Sequence, residues 1–384
     1  AKKLNVPVLL WGPRDECPDE NGMRLRDSQC GLFATGKVLR RFGIPFTYLK
    51  NCNLEDECFA EGIDRFLRVC NVVKAFRNTR VLQISTRPFD FWSTMCNEGE
   101  LLEKFGIQLS PIPMPELTQA MKDVKENSPE EIKEVTDYCR EKMCIKVTPE
   151  QLDNVAALKI AMTRLGKKYG CNCGAIQCWN ALQDEIGIMP CAANALCNDE
   201  GFPIACETDI HGTITSVLVE AAAMGETRSF FADWTVRHPY NDNAELLQHC
   251  GPWPISIAKE KPTIDTPVAF DCSGSLMAQA KDGEHISLVR FDGDNGEYSL
   301  LLGNAKTVDG PYTKGTYMWV EVENLDRLED KLVQGPYIHH CVGVHQDVVP
   351  VLYEACKYIG VTPDLYDPIE EKVKAIIRGE KVEK

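Results

Sequence analysis

Three short segments of the chain combine carboxylate or imidazole side chains with apolar runs. The first is GFPIACETDIHG, residues 201–212, in which an apolar strand leads to Glu207 and Asp209. In open α/β sheets, ligands bind at the carboxyl ends of the strands. A buried carboxylate is costly unless it is paired or metal-bound. Glu207 and Asp209 are therefore candidates for chemistry, with the alternative that Thr208 and Asp209 cap the following helix.

The second segment, residues 230–254, places Asp233 after two aromatic residues and an alanine, and His249 follows 16 positions later. Aspartate and histidine suit a divalent ion such as Mn²⁺ or Mg²⁺, and His249 can also donate to sugar hydroxyls. Trp234 is the best-placed tryptophan for stacking on a sugar ring, although core packing is the commoner role. The alternative for Asp233 is a capping residue in a surface loop.

The third segment, GPYIHHCVGVHQD at residues 335–347, contains the pair His339 and His340. Alternation along a strand puts one imidazole on each face, so at most one of the pair is expected in a given site. Histidine is the commonest side-chain ligand of transition metals. Alternation does not decide which of the two is the ligand, and a satisfied core histidine is the alternative for the other.

Six cysteines between residues 171 and 206 were considered as a metal site. Their spacing matches neither the paired C-x₂-C zinc pattern nor the ferredoxin pattern, so buried reduced thiols are favoured. No G-x-G-x-x-G or Walker motif is present, and no nucleotide cofactor is predicted. The six are Cys171, Cys173, Cys178, Cys191, Cys197 and Cys206.

The elements that would position these residues alternate between strand and helix patterns. Residues 4–11 and 80–85 have strand patterns, and a helix pattern over 31–46 stops at a glycine before a proline. Residues 128–144 and 149–166 have the apolar spacing of amphipathic helices. This alternation predicts an α/β protein with a Rossmann-like, doubly wound parallel sheet.

The pattern changes at about residue 223, where short alternating runs separated by Gly, Asp and Thr indicate a β-rich, barrel-like domain closed by helices. We therefore predict a central α/β domain over residues 16–222 and a β-rich C-terminal domain over residues 223–384.

Composition excludes several functional classes. The chain has 384 residues, 44% of them apolar and 26% charged, and no run of the roughly 18 apolar residues that would span a bilayer. Its net charge of −15 argues against a nucleic-acid partner. Eighteen cysteines in a long chain without an export signal predict reduced thiols and a cytoplasmic location.

Taken in order, ACETDIHG, FADWTVRHPYNDNAELLQHCGPWPISIA and GPYIHHCVGVHQD resemble three segments of the L-fucose isomerase and L-arabinose isomerase superfamily. The 26-residue separation of Glu207 and Asp233 agrees with the pattern of that superfamily. The resemblance covers nearly the whole chain and is closer to the fucose isomerases. Members have a further N-terminal Rossmann-like domain. The resemblance implies that residues 1–15 of this chain are the last strand of that domain and that most of the domain is missing.

The resemblance implies a metal-dependent aldose–ketose isomerase that uses Mn²⁺, or another divalent cation such as Mg²⁺ or Co²⁺. The metal ligands that it implies are Glu207, Asp233 and His340, the first two of which also transfer protons. The expected substrate contacts are His249, Trp234, His339 and Asp209.

The expected substrate is an L-fucose-, D-arabinose- or L-arabinose-like sugar, and the expected assembly is a homo-oligomer, a trimer or hexamer, without nucleic-acid or membrane partners. Two alternatives remain open at this point. A non-catalytic sugar-binding protein does not need clustered Glu, Asp and His, and a metal-dependent aldolase or hydrolase would use the same ligand types but cleave its substrate.

Overall fold

The computed structural model describes residues 1–267 and 271–382. Its strands are β1 (Leu9–Leu10), β2 (Thr47–Tyr48), β3 (Arg80–Ile84), β4 (Gln108–Ile112), β5 (Cys144–Ile145), β6 (Cys173–Ile176), β7 (Ile204–Ala205), β8 (Phe230–His238), β9 (Asn241–His249), β10 (Thr263–Asp265), β11 (Ser275–Gln279), β12 (Ile286–Asp294), β13 (Glu297–Thr307), β14 (Thr316–Glu321), β15 (His340–Val344) and β16 (Thr362–Asp367).

The α-helices are α1 (Ser28–Arg41), α2 (Glu57–Arg77), α3 (Glu98–Glu100), α4 (Met114–Asn127), α5 (Pro129–Lys142), α6 (Pro149–Tyr169), α7 (Ala181–Ile186), α8 (Cys191–Asp199), α9 (Ile210–Ala222), α10 (Leu325–Gln334), α11 (Val349–Ile359) and α12 (Glu370–Ile377). Short 3₁₀ turns occupy Trp92–Thr94 and Ile255–Ile257, and a π-helical turn occupies Leu101–Phe105.

A four-stranded parallel sheet, in the order β4-β3-β6-β7, forms the central layer. Helices α4, α5 and α6 contribute to the apolar core on one face, and α2 and α9 to the core on the other. Helix α6 begins at a reciprocal capping box between Thr148 and Gln151 and ends at Gly170, whose φ of 66° is left-handed. Such a covered parallel sheet presents the ends of its strands to a ligand.

A ten-stranded mixed sheet follows in the order β16-β13-β12-β15-β8-β9-β14-β11-β10-β5. An additional pairing of β13 with β14 joins β13, β12, β15, β8, β9 and β14 in a closed circuit of neighbours. The strands that contain Asp233, His249 and His340 are consecutive in this circuit. The large sheet therefore brings residues that are far apart in sequence to adjacent positions.

The fold confirms an α/β protein with a parallel sheet and a large mixed sheet, whereas the specific combination of a Rossmann-like domain with a barrel remains a prediction. The helices expected over 128–144 and 149–166 are present, as is the strand at 80–85. The strand expected over 4–11 is only Leu9–Leu10, because its partner β2 offers two paired positions. None of the described helices is long and apolar enough to span a membrane.

Candidate functional site

Strand pairing places the predicted acidic and histidine residues side by side. Asp233 on β8 lies directly opposite His340 on β15 in an antiparallel ladder. On its other side, β8 pairs with β9, where Asp233 faces Gln248, the neighbour of His249. Asp233 is therefore in a strand, and the alternative of a capping residue in a surface loop is wrong. Cross-strand neighbours at such positions lie within side-chain contact.

Four side-chain atoms converge at the ends of these strands. His340 Nε2 lies 3.0 Å from Glu207 Oε2 and 3.6 Å from Asp233 Oδ1, and His249 Nε2 lies 3.9 Å from the same Asp233 oxygen. All four atoms are buried, and none has a hydrogen-bond partner in the described part of the chain. Buried polar atoms are normally paired, so four orphaned ones at one point need an explanation.

A strained backbone conformation places the Glu207 carboxylate beside His340 Nε2. Glu207 and Thr208 both adopt left-handed conformations, with φ of 59° and 53°. Such conformations cost about 1–3 kcal/mol per residue outside glycine and concentrate at functional sites. The Thr208 hydroxyl donates to the carbonyl of Thr86 at 3.0 Å, and Trp179 Nε1 donates to Glu207 Oε1 at 3.1 Å. These contacts fix one carboxylate oxygen and leave the other facing His340.

His340 is held from behind by Asp209. The imidazole is fully buried, and its Nδ1 lies 2.8 Å from Asp209 Oδ2. Burial by itself opposes protonation, but the hydrogen bond to Asp209 and the nearby carboxylates of Glu207 and Asp233 raise the pKa of His340 to about 10. Burial also acts to raise the pKa of Glu207, yet the neighbouring His340 and His249 hold it below its usual value. Without a bound cation, the site is therefore a charged histidine among carboxylates.

Arg290 completes the support behind His340. Its guanidinium contacts both oxygens of Asp209 and donates to Asp292 Oδ2 at 2.9 Å, and its side chain is 1% exposed. Asp292 Oδ1 in turn lies 3.0 Å from His211 Nδ1. Although burial opposes ionisation, Arg290 holds the pKa of both carboxyls below the usual aspartate value. We call Asp209, Arg290, Asp292 and His211 the support network.

Two residues expected at the substrate occupy other positions. Asp209 is fully buried, accepts from Gly212 N at 2.9 Å as the N-cap of α9, and lies behind His340. The capping alternative thus holds for Asp209, while its neighbour Glu207 faces the cluster. Trp234 is 7% exposed and packs in the core of the mixed sheet, because alternation along β8 turns it away from Asp233.

His339 is placed at the cluster together with His340. It precedes the first residue of β15 and is exposed. Ligand atoms of Asp233, His339 and His340 all lie within 4.8 Å of one another. Strict alternation does not apply at the edge of the strand, so the expectation that at most one histidine of the pair faces the site does not hold here.

A cavity of about 780 Å³ lies beside the support network. Asp292 and Gly293 line it on one side, Ile338 lines it next to His339, and Trp92 and Cys96 line it from the loop after β3. Its size matches that of small-molecule pockets. The chain therefore combines a cluster of metal-ligand types with a space for a small substrate.

Little in the sequence indicates the roles of Arg290, Asp292 and His211 or the contact of Trp179 with Glu207. An arginine within the apolar run HISLVRF was the available signal for a buried ion pair, because unpaired arginine is rarely buried. The six cysteines between residues 171 and 206 are all buried free thiols, as expected.

Comparison with known proteins gives consistent results. The family model described as fucose/sulfoquinovose isomerase, N-terminal domain, matches residues 1–77. The chain is 25% identical over 367 residues to a protein named sulfoquinovose isomerase from Priestia aryabhattai, covering 94% of this chain and 80% of the relative. A protein of the same name from Alkalicoccus urumqiensis is 24% identical over 357 residues, covering 92% of this chain and 79% of the relative. These similarities support the resemblance of the chain to the fucose isomerase-like superfamily.

Proposed function

We propose that the protein is an aldose–ketose isomerase that binds a divalent cation between Glu207, Asp233 and His340. The observation that carries this proposal is the convergence of four buried, unpaired donor atoms, from these residues and His249. The names of the similar proteins support sugar isomerisation as the class of reaction. The metal is inferred from the donor atoms of the site, and the substrate from the resemblance and the names of the similar proteins.

The donor set fits a hard or borderline ion. Ligands at about 2.1 Å in octahedral geometry lie roughly 3.0 Å from one another, near the 3.0 and 3.6 Å separations from His340 Nε2. Carboxylate and imidazole suit Mn²⁺, Mg²⁺ or Co²⁺. We assign Glu207, Asp233 and His340 as ligands, with His339 at the exposed side and His249 directed to substrate hydroxyls. The bound ion would polarise the sugar oxygens at C1 and C2.

Aldose–ketose interconversion needs a proton to be moved between C1 and C2 through a cis-enediol, with acid and base groups near the two oxygens. Asp233 is the more accessible carboxylate, with a side chain 27% exposed compared with 7% for Glu207. We assign these two residues to proton transfer. Trp179 holds Glu207 Oε1, so Oε2 is the oxygen that acts.

The proposed substrate is an open-chain aldose. L-Fucose, D-arabinose and L-arabinose follow from the superfamily resemblance, and the names of the relatives add sulfoquinovose. The shared requirement is a carbonyl at C1 and a hydroxyl at C2. We propose sulfoquinovose and L-fucose as the first pair to compare, because the relatives and the resemblance name one each.

The test is a chelator-treated protein, resupplied with Mn²⁺ and followed by proton NMR in D₂O with each aldose in turn. We expect ketose formation that requires Mn²⁺ and incorporates deuterium at the transferred position. Glu207→Gln should abolish it. Glu220→Gln is the matched control, because Glu220 bonds Ser229 at the other end of α9.

Mn²⁺ binding without ketose from any of the four aldoses would contradict the isomerase assignment. Cleavage products would favour a metal-dependent aldolase or hydrolase. Turnover that persists after chelation would contradict the proposed requirement for a divalent cation.

A further inference from the structure

A second group of metal-ligand side chains lies far along the chain from the proposed active site, at the start of α2. Sulfur atoms of Cys52 and Cys58 and a carboxylate oxygen of Asp56 all lie within 4.8 Å of one another. They come from the seven-residue segment CNLEDEC between β2 and α2. We propose that Cys52, Asp56 and Cys58 form a binding site for a thiophilic divalent cation, Zn²⁺.

The spacing suits this ion. Tetrahedral zinc with sulfur ligands at about 2.3 Å places those ligands about 3.8 Å apart, so small side-chain movements close the site from its present separations. Two thiolates and one carboxylate favour zinc over Mg²⁺ or Mn²⁺, which prefer oxygen ligands. The fourth position is left for water.

The surroundings hold the ligands in place. Cys52 is 3% exposed, and Trp11 Nε1 donates to its sulfur at 3.3 Å. Asp56 Oδ2 accepts from Asn53 N at 2.8 Å, which fixes the carboxylate beside the two sulfurs. No ion pair to Asp56 occurs within residues 1–267 and 271–382. The carboxylate is therefore available to a cation.

The position implies a structural role. The site joins the segment after β1 that contains Trp11, the loop after β2 and the first turn of α2. It also contacts the end of the chain, since a Cβ at Gly379 would lie 3.3 Å from Cys58 Cβ. A bound ion would fasten these segments together. Because zinc binds thiolates, binding would release protons and weaken at low pH.

The test uses the full chain, reduced and saturated with Mn²⁺ so that the carboxylate–histidine cluster is occupied. Titration with Co²⁺ reports sulfur ligation through a thiolate-to-metal charge-transfer absorption, and Zn²⁺ then competes for the site. We expect one such site per chain. Cys58→Ser should weaken Co²⁺ binding at least tenfold, and Asp56→Asn should weaken it less. The control Cys30→Ser removes an exposed thiol on α1 and should change nothing.

Equal Co²⁺ binding by wild type and Cys58→Ser would overturn the proposal, as would a disulfide between Cys52 and Cys58 in protein isolated without reductant. If Cys58→Ser does not fold, Asp56→Asn decides, and wild-type affinity in that variant overturns the site. The proposed isomerase does not use these residues. If the zinc site fails this test, the isomerase proposal is unaffected. If the isomerase proposal fails its own test, the zinc-site proposal is unaffected.

Discussion

Two buried charged clusters lie back to back in this protein, and they differ in how their polar atoms are satisfied. In the support network, Asp209 accepts from Gly212, Arg290 and His340, and Asp292 accepts from Arg290 and Gly293. His211 Nε2 is the one atom of that network without a hydrogen-bond partner within the described residues. In the facing cluster, Glu207 Oε2, Asp233 Oδ1, His249 Nε2 and His340 Nε2 have no hydrogen-bond partner within the described residues. His340 belongs to both, with one nitrogen in each.

This difference assigns a positioning role to the support network and a binding and catalytic role to the facing cluster. A paired, fully buried ion cluster fixes geometry and is disrupted when one partner is lost. Unpaired donor atoms are costly to bury, and a bound cation would satisfy them. Substitutions in the support network should therefore affect stability first, and substitutions in the facing cluster should affect binding and turnover first.

The largest expected effect on activity is that of Asp233→Asn. The change removes a metal ligand and a proton-transfer group, so kcat/KM for the aldose should fall by roughly 10²–10⁴-fold. Because the Asp233 side chain is partly exposed and unpaired, the free energy of unfolding of the cation-free protein should change by less than about 0.5 kcal/mol. Steady-state kinetics and urea denaturation test both. Asp242→Asn, near the start of β9, is the control, and a large loss of stability in Asp233→Asn would contradict the assignment.

Arg290→Met should show the opposite behaviour. It removes the buried guanidinium that contacts both Asp209 and Asp292, and we expect a loss of about 3–5 kcal/mol in the free energy of unfolding. Urea denaturation measures this loss. Arg237→Met removes a more exposed arginine that pairs with Glu329 and should cost about 0–1 kcal/mol. Equal costs for the two variants would show that the support network does not stabilise the core.

Asp209→Asn tests the link between the two clusters, because Asp209 contacts His340, which has one nitrogen in each cluster. The amide weakens the hold on His340 Nδ1, and such changes behind a ligand typically reduce metal affinity by roughly 10–100-fold. Mn²⁺ titration followed by electron paramagnetic resonance measures the affinity directly. A variant that is less stable but binds Mn²⁺ as tightly as wild type would limit Asp209 to a structural role.

The smallest expected effect belongs to Glu245, an acid in neither cluster. The pKa of its carboxyl is raised to about 7, above the usual 4.5, mainly by burial and to a smaller extent by the charge of Glu329. The folded protein holds this proton more tightly than the unfolded chain, so the carboxyl makes stability fall as pH rises from 4.5 to 7. Glu245→Gln should therefore raise the unfolding free energy by about 1 kcal/mol at pH 8 and leave it unchanged below pH 4.5. Urea denaturation at both pH values tests this.

Much of the site was visible in the sequence because its residues follow apolar runs that form strands. Glu207, Asp233, His249 and His340 lie together as expected, although strand order alone did not show that β8 would be flanked by β9 and β15. Trp234 was misassigned because the face of a strand cannot be read from a single tryptophan.

The support network was missed for a different reason. Arg290 and Asp209 are 81 positions apart, and each alone has the pattern of an ordinary strand or cap residue. The long helix α2 was also not predicted, because charged residues interrupt its apolar positions Val69, Val72, Val73 and Phe76.

The central claim is that the four unpaired atoms form the cation site. The most direct measurement is Mn²⁺ binding by electron paramagnetic resonance to wild type, to the double variant Glu207→Gln/Asp233→Asn, and to Glu220→Gln. We expect one tightly bound Mn²⁺ per chain in wild type and in Glu220→Gln, and a loss of that site in the double variant. Unchanged Mn²⁺ affinity in the double variant would contradict the account.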